Sequence, residues 1–276
     1  MKEKVLITGI TGFVGSHMAD FLLEKNIDVY GLKRWNLSSM RNIRHILNDD
    51  RLTLLDCDIT DPIGVREVIE RVKPDKIFHF AAESFVSTSW LHPSHYMDVN
   101  FKGTVNFLDA IRQAGINPRF HIAGSGEEYG EIYEDELPIT DKTILRPMNP
   151  YAVSKIAQDL IGYVYFKSYG LNVIRTRAFN HEGPRRDNVF GISWYAYQIA
   201  RIENGRQKPL VRVGHTDDKR NFTHIRDMVE AYWLAMEHCK PGEMYLIGSD
   251  EPSHVHTFRE ALDMLIEMST VKNIKS

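Results

Sequence analysis

Apolar runs of strand length alternate with segments of helical period over the first two thirds of the chain. KVLITG, Lys4 to Gly9, is an unbroken apolar run of the kind a parallel strand shows when both of its faces are covered. Val14, Met18, Phe21 and Leu22 then fall at helical spacing on one face. IDVYGL, LTLLDCD, KIFHFAA and RFHIAGS read as strands two to five, and LNVIRTRAF as a sixth. Helical segments separate them: Asp61 to Val72, the stretch VNFKGTVNFLDAIRQAG, and a helix from Tyr151 to Ser168. This alternation predicts an α/β protein built on a Rossmann-type doubly wound parallel sheet.

After Phe179 the pattern changes. NHEGPRRDN is polar and turn-rich, and short helices then mix with short strands, PLVRVG and EMYLIG. The expected organisation is a Rossmann-type domain over residues 1–179, with elements around 222–248 returning to it. A smaller, interleaved C-terminal lobe over 180–276 would bind substrate.

Composition narrows the function classes. Of 276 residues, 43% are hydrophobic and 26% charged, as in ordinary folded domains. A net charge of -3 gives no basic field for nucleic acid or an anionic membrane surface. MKEKVLITG runs straight into the first strand without an apolar leader, and no uncharged run approaches membrane-spanning length. Cys57 and Cys239 follow no metal-ligand spacing, and two free thiols fit a reducing cytoplasm, the expected location. Neither His92 and His95 nor His254 and His256 has a carboxylate or cysteine cluster beside it, so no metal site is expected. Met264, Leu265 and Met268 fit helical packing.

TGITGFVG sets Gly9, Gly12 and Gly15 between the first strand and the first helix. Such glycines permit a tight turn and let backbone N–H groups at a helix N-terminus approach a pyrophosphate. An NAD site would place an acid roughly 20 residues further on, at the end of the second strand. Here that strand ends GLKRW, with Lys33 and Arg34. A guanidinium suits a 2′-phosphate, so NADP is the expected cofactor, with Ser38, Ser39 and Arg41 as further contacts. Asp58, after the third strand, is placed either to accept from the adenine amino group or to cap the helix that begins near Asp61.

NPYAVSK holds Tyr151 and Lys155 one helical turn apart, on one face. An ammonium beside a phenol favours phenolate, which fits Tyr151 to exchange a proton with a sugar hydroxyl. GSGEEYG, after the fifth strand, adds Ser125, with the carboxylates Glu127 and Glu128 two and three residues on.

With this set in order, the chain resembles the extended short-chain dehydrogenase/reductases over essentially its whole length. Within them it looks like the nucleotide-sugar branch, and there like the GDP-mannose 4,6-dehydratases and their relatives, the GDP-4-keto-6-deoxymannose reductases. The residues carrying this are GLKR, HFAAESFV, RPMNPYAVSK, FNHEGPRR and DDKRNFTHIRDMVEAYW. The resemblance implies that Ser125 hydrogen-bonds the reacting oxygen, that Tyr151 is the acid/base, and that Lys155 also holds the nicotinamide ribose. It extends the cofactor contacts to Thr11, Phe13, Val14, Ile59, Ala81 and Ala82.

For a 4,6-dehydratase it implies oxidation at C4, loss of water across C5 and C6, and return of the hydride to C6. Glu127 matches the carboxylate that removes the C5 proton, while Glu128, where an apolar residue is usual, is expected to be structural or solvated. Gly126 departs from the Thr-Ser-Glu form of the dehydratase motif. NHEGPRR leans to the dehydratases and RPMNPYAVSK to the reductases, so an NADPH-dependent 4-keto reductase is the alternative. A non-catalytic dinucleotide sensor stands behind both.

The substrate implied is a GDP-hexose. Ser84 and Glu83 match positions lining the sugar pocket, Asn180 matches a sugar or phosphate contact, and Arg185 and Arg220 match diphosphate contacts. Arg186 and Lys219 are expected to be solvated. FGISWYAY stands where the dehydratases usually carry an Arg-Lys pair near the base, and the chain ends at MLIEMSTVKNIKS, short of a further substrate-binding arginine and final helix found in relatives. A homodimer packing the helices near Thr104–Ala114 and Tyr151–Phe166 is expected, or the tetramer that some dehydratases form.

Overall fold

The computed structural model describes residues 2–276, which divide into two units. The first runs to Ala178 and takes in Arg226–Ile247 as well. Its seven-stranded sheet contains β1 (Lys4–Thr8), β2 (Asp28–Lys33), β3 (Leu52–Asp56), β4 (Lys76–His79), β5 (Arg119–Ser125) and β6 (Val173–Ala178). The seventh strand, Met244–Ile247, pairs parallel with β6. All neighbours are parallel, in the order β3-β2-β1-β4-β5-β6 and then that last strand.

Strand order reverses between β1 and β4, where a doubly wound sheet opens its ligand crevice. Val5, Leu6 and Ile7 on β1 and Ile77 and Phe78 on β4 are fully buried, which explains their unbroken apolar runs. Each such side chain contributes about 1.5–3 kcal/mol on burial.

The main helices of this unit are α1 (Phe13–Glu24), α2 (Pro62–Val72), the short α3 (Val86–Ser89) and α4 (Pro93–Tyr96), α5 (Gly103–Gln113) and α6 (Pro150–Tyr169). On α1, Met18 and Leu22 are fully buried and Val14 and Phe21 half-buried. The stretch read as one long helix is interrupted: Met97–Lys102 forms a π-helical turn before α5. Such turns change the register of the side chains around the helix, and within this one Asn100 is fully buried.

The second unit, Phe179–Ile225 with Gly248–Ser276, has its own three-stranded sheet. Its strands are β7 (Asn180–Glu182), β8 (Lys219–His224) and, as β9 and β10 of the chain follow in order, Met244–Ile247 belongs to the first sheet as β9 and Val255–Thr257 to this one as β10. β8 is central, parallel to β7 and antiparallel to β10. Helix α7 (Gly191–Glu203) packs with α9 (Phe258–Met268) around Tyr195, Ile199, Ile202, Val211 and Leu262, while α8 (Ile225–His238) returns the chain to the first unit.

PLVRVG is not the strand its apolar alternation suggests. It makes only an isolated bridge, Leu210 to Lys275. Backbone bonds to Lys275 engage Pro209 and Val211, and the Arg212 groups go to a side chain: Gln198 accepts from the Arg212 N–H and donates to its carbonyl.

Candidate functional site

The glycine turn is built by contacts a side chain would break. Gly9 has φ +70°, and a Cβ there would stand 2.9 Å from the Ala81 nitrogen; one on Gly15 would stand 2.3 Å from the Gly9 carbonyl oxygen. The Gly12 N–H closes the turn onto the Gly9 carbonyl at 2.9 Å. Gly12 is then the N-cap of α1 and offers no side chain to its first-turn N–H groups, and no acidic residue occupies that turn. A bare helix N-terminus approached by glycine fits a dinucleotide pyrophosphate. Thr11 is held by Asn42, whose side-chain amide donates to its carbonyl at 3.1 Å. Phe13 rests edge-on against His17, and Val14 is half-buried.

At the end of β2 the two basic residues separate. Lys33 is paired with Asp56 on the neighbouring strand. Arg34 is exposed, with no carboxylate at ion-pair distance among the described residues, and its N–H is fixed by Ser38 Oγ at 3.0 Å. That leaves one guanidinium and a hydroxyl-bearing turn where a 2′-phosphate would lie. Asp58 accepts from both the N–H and the hydroxyl of Thr60, at 2.9 and 2.7 Å, and it is Asp61 that caps α2. Ile59 is buried against Gly103, and its carbonyl accepts from Asn106 at 2.9 Å. The Ala81 N–H donates to Thr8 Oγ1 at 2.9 Å across the sheet's switch point, and Ala82 follows, half-buried.

Helix α6 presents Tyr151 and Lys155. Asn149 caps it, accepting from the Ala152 N–H at 2.8 Å, and Pro150 occupies the first turn, where a missing N–H costs nothing. Tyr151 is 8% exposed and packs edge-on against Tyr96. Lys155 is 5% exposed and donates to the Ala123 carbonyl on β5 and to Gln158 Oε1, each at 2.8 Å. Burial holds its ammonium down to about 8, against the pull of Glu128 in the other direction.

Ser125 ends β5 and caps a single 3₁₀ turn, Gly126–Glu128. Its hydroxyl accepts from the Glu127 N–H at 3.2 Å. Glu127, half-buried, accepts from the Asn149 side chain at 3.3 Å. The same asparagine therefore fixes the start of the Tyr151 helix and the carboxylate of Glu127.

Glu128 is not solvated. It is fully buried, takes the Ser125 N–H at 2.8 Å and faces Arg177 Nε at 2.8 Å. Arg177 also meets Asp159 at 2.6 Å, and Asp159 meets Arg175 at 2.9 Å. Burial, with Asp159 adding to it, pushes the Glu128 carboxyl up to about 7 against the pull of Arg177. Gly124 makes room for this carboxylate, since a Cβ there would lie 2.5 Å from Glu128 Oε1.

Asn100 was not legible as a site residue. It accepts from the Glu83 N–H at 2.8 Å, donates to the Glu83 carbonyl at 3.0 Å and to Ser154 Oγ at 2.9 Å. The Glu83–Ser84 segment is thereby tied to α6, with Ser84 exposed and the Glu83 carboxylate 3.5 Å from His95. No local pattern marks Asn100, because the contacts come from residues 17 and 54 positions away. Asn149 does carry a signal, the N-cap asparagine before a first-turn proline.

In the second unit, Asn180 opens β7 opposite Phe222. Arg185 sits at φ +72°, and Arg220 stands 3.6 Å from Asp218. Arg186, contrary to expectation, is not a solvated charge: it pairs with Glu182 at 3.2 Å and stacks on Phe190 at 4.1 Å, while Lys219 is exposed. His254 bonds Ser249 at 2.7 Å and His256 lies 4.0 Å from Glu260. Among the described residues no cluster of three metal-binding side chains occurs, and no helix is long and apolar enough to cross a membrane.

Residues 6–275 match the family described as GDP-mannose 4,6 dehydratase. A GDP-mannose 4,6-dehydratase of Vibrio cholerae is 34% identical over 94% of this chain and 71% of its own. The GDP-6-deoxy-D-mannose reductase of Pseudomonas aeruginosa is 29% identical over 99% of this chain and 82% of its own. Among solved structures, RMD from Pseudomonas aeruginosa complexed with NADPH superposes with a TM-score of 0.83 at 28% identity, covering 99% of this chain and 85% of that one. With the glycine turn, Ser125, Tyr151 and Lys155 set on a doubly wound sheet, and with that match along nearly the whole sequence, the chain belongs to the GDP-mannose 4,6-dehydratase family.

Proposed function

We propose that the protein is an NADP-dependent nucleotide-sugar 4,6-dehydratase acting on GDP-mannose. The observation that carries this reading is the Asn149 bridge, which ties a carboxylate, Glu127, to the cap of the helix bearing Tyr151 and Lys155. Simple hydride transfer needs only the tyrosine and lysine; elimination needs a further base. Bound nicotinamide supplies reversible hydride exchange with the sugar carbon. Tyr151 takes the C4 hydroxyl proton, its phenol acidified by the Lys155 ammonium, and Ser125 offers its hydroxyl to the C4 oxygen. The C4 ketone acidifies C5; Glu127 removes that proton and delivers it to the departing C6 hydroxyl, so that water leaves.

The first unit holds the cofactor in this reading, through Gly9, Gly12, Gly15 and Arg34. The second holds the diphosphate through Asn180, Arg185 and Arg220, whose guanidinium forks suit phosphate oxygens. The exposed apolar positions Val153, Leu160 and Val164 lie along one stripe of α6 and support a homodimer through that helix. The free thiols suit the cytoplasm.

A second reading, an NADPH-dependent 4-keto reductase, is favoured by Gly126, which presents no side chain beside Glu127, and by the alignment with the Pseudomonas aeruginosa reductase along 99% of this chain. Incubation with GDP-mannose and catalytic NADP⁺, followed by mass spectrometry, separates the two. Loss of one water without net NADPH supports the dehydratase. Turnover only of a 4-keto sugar, with stoichiometric NADPH, replaces it with the reductase.

A further inference from the structure

Gln158 sits three residues beyond Lys155 and has no part in the chemistry above. It is fully buried, and its Oε1 accepts from Lys155 Nζ at 2.8 Å. An amide can turn either end toward an ammonium, but only the oxygen accepts. The far end of the side chain decides the orientation. Gln158 Nε2 donates to Thr104 Oγ1 at 2.8 Å, and Thr104 in turn donates its hydroxyl proton to the Asn100 carbonyl at 2.7 Å. Thr104 therefore has only lone pairs for its remaining neighbour, His79 Nε2 at 3.0 Å, so that nitrogen carries the proton. His79 Nδ1 then accepts from Thr8 Oγ1 at 3.1 Å, and Thr8 accepts from the Ala81 N–H at 2.9 Å.

One arrangement of protons satisfies every link from Ala81 to Lys155. It requires a neutral His79, and burial, followed by the charge of Lys155, pushes that imidazole down to about 3. Thr8, His79, Thr104 and Gln158 are all at most 1% exposed, so water does not compete for these bonds.

We infer that Gln158 is a positioning residue for Lys155, held by a directional chain through Thr104, His79 and Thr8 to the strand ends that flank the glycine turn. This rests on the reading of Tyr151 and Lys155 as the proton-transfer pair. Ala123 and Gln158 engage two of the three N–H donors of Lys155 and leave one for a ligand. Because the acceptor is neutral, it orients the ammonium without cancelling the charge that acidifies Tyr151. The groups whose charge reaches Lys155 are Glu128 after β5, His79 on β4 and His121 on β5; Tyr151 and Asp159 stand one turn to either side on its own helix, Asp159 already paired with Arg175 and Arg177. Of the first three, Glu128 brings the negative charge, in part at neutral pH because its carboxyl is pushed up to about 7.

The test compares Gln158→Glu and Gln158→Met in the full chain. The titration of Lys155 is followed by its rate of acylation against pH, and turnover by the pH profile of kcat/KM. A carboxylate in place of the amide favours the ammonium. Lys155 then titrates higher, and the limb belonging to Tyr151 moves to higher pH, roughly tenfold in proton concentration. Gln158→Met loses the anchor without adding charge, so kcat falls roughly tenfold while KM and the limb's position hold. If both variants leave the Lys155 titration and turnover unchanged while Lys155→Met abolishes turnover, the positioning role is wrong. If the Lys155 titration moves and the profile does not, Gln158 positions Lys155 but the proton-transfer reading fails. Should the Glu variant not fold, as judged by circular dichroism, the kcat-against-KM split of Gln158→Met decides.

Discussion

Asn149 and Glu127 are joined by a hydrogen bond of 3.3 Å, from the residue that caps α6 to the carboxylate that follows Ser125. Two segments distant in sequence, the turn after β5 and the start of the tyrosine helix, are thereby registered on one another. The proposed elimination, with Glu127 and Tyr151 acting at adjacent carbons of one sugar, would need such registration, because effective concentration falls steeply with misplacement.

Glu127→Gln keeps the shape of this contact and removes the carboxylate proposed as the C5 base. Dehydration of GDP-mannose should fall by roughly 10²–10⁴-fold. Single-turnover absorbance at the NADPH band should then show reduced cofactor accumulating, because oxidation at C4 precedes the blocked step. Undiminished dehydration would exclude Glu127 as the C5 base.

Tyr151→Phe removes the phenol hydroxyl proposed as the proton carrier and keeps the ring packed against Tyr96. Turnover should drop by roughly 10²–10⁴-fold while NADPH still binds, as fluorescence titration reads directly. Gly15→Ala should do the reverse at the binding step. Its Cβ would stand 2.3 Å from the Gly9 carbonyl oxygen, and the turn has to open to admit it. NADPH affinity should fall at least roughly tenfold, a lower limit for a turn that no longer presents its N–H groups together.

Arg177→Met leaves Glu128 and Asp159 as buried carboxylates without their shared partner. Stripping one member from a buried ionic network costs about 3–5 kcal/mol. Urea unfolding should show that loss. The capping of Ser125 by Glu128 should loosen with it, so turnover should drop even where the variant is folded.

His121 gives the fold an acid dependence. Burial holds its imidazole down to about 3, from an ordinary 6.5. Between those values the unfolded chain binds a proton that the folded chain refuses, so this contribution is complete above 6.5 and is lost as pH falls toward 3. Relative to His121→Gln, the parent should lose about 1–2 kcal/mol of stability on going from pH 7 to pH 5, read from paired denaturant curves. An identical pH slope in both proteins would mean that His121 titrates in the fold as it does in the unfolded chain.

Much of the site can be read from the chain because its chemistry is local. The glycine triplet is a backbone requirement confined to one turn. Tyr151 and Lys155 share a helical face by spacing alone, and Asn149 before Pro150 announces the helix that carries them. The parallel sheet follows from apolar runs whose composition reports burial on both faces. PLVRVG has a similar local composition, yet its Arg212 groups went to Gln198 on α7 and its remaining pairing to the single bridge with Lys275.

What the tertiary structure alone decided are the partners of buried polar groups. Glu127 and Glu128 are neighbours of identical chemistry; the resemblance separates them, but nothing local in the sequence says that Glu128 is fully buried rather than solvated. The distinction comes from Arg177 on β6 and Asp159 on α6, which together make burial of Glu128 tolerable, and from Gly124, which clears its path. Asn100 and Gln158 are silent in sequence for the same reason. A buried donor or acceptor takes its meaning from the group that satisfies it, and that group is brought close only when the sheet and helices have packed.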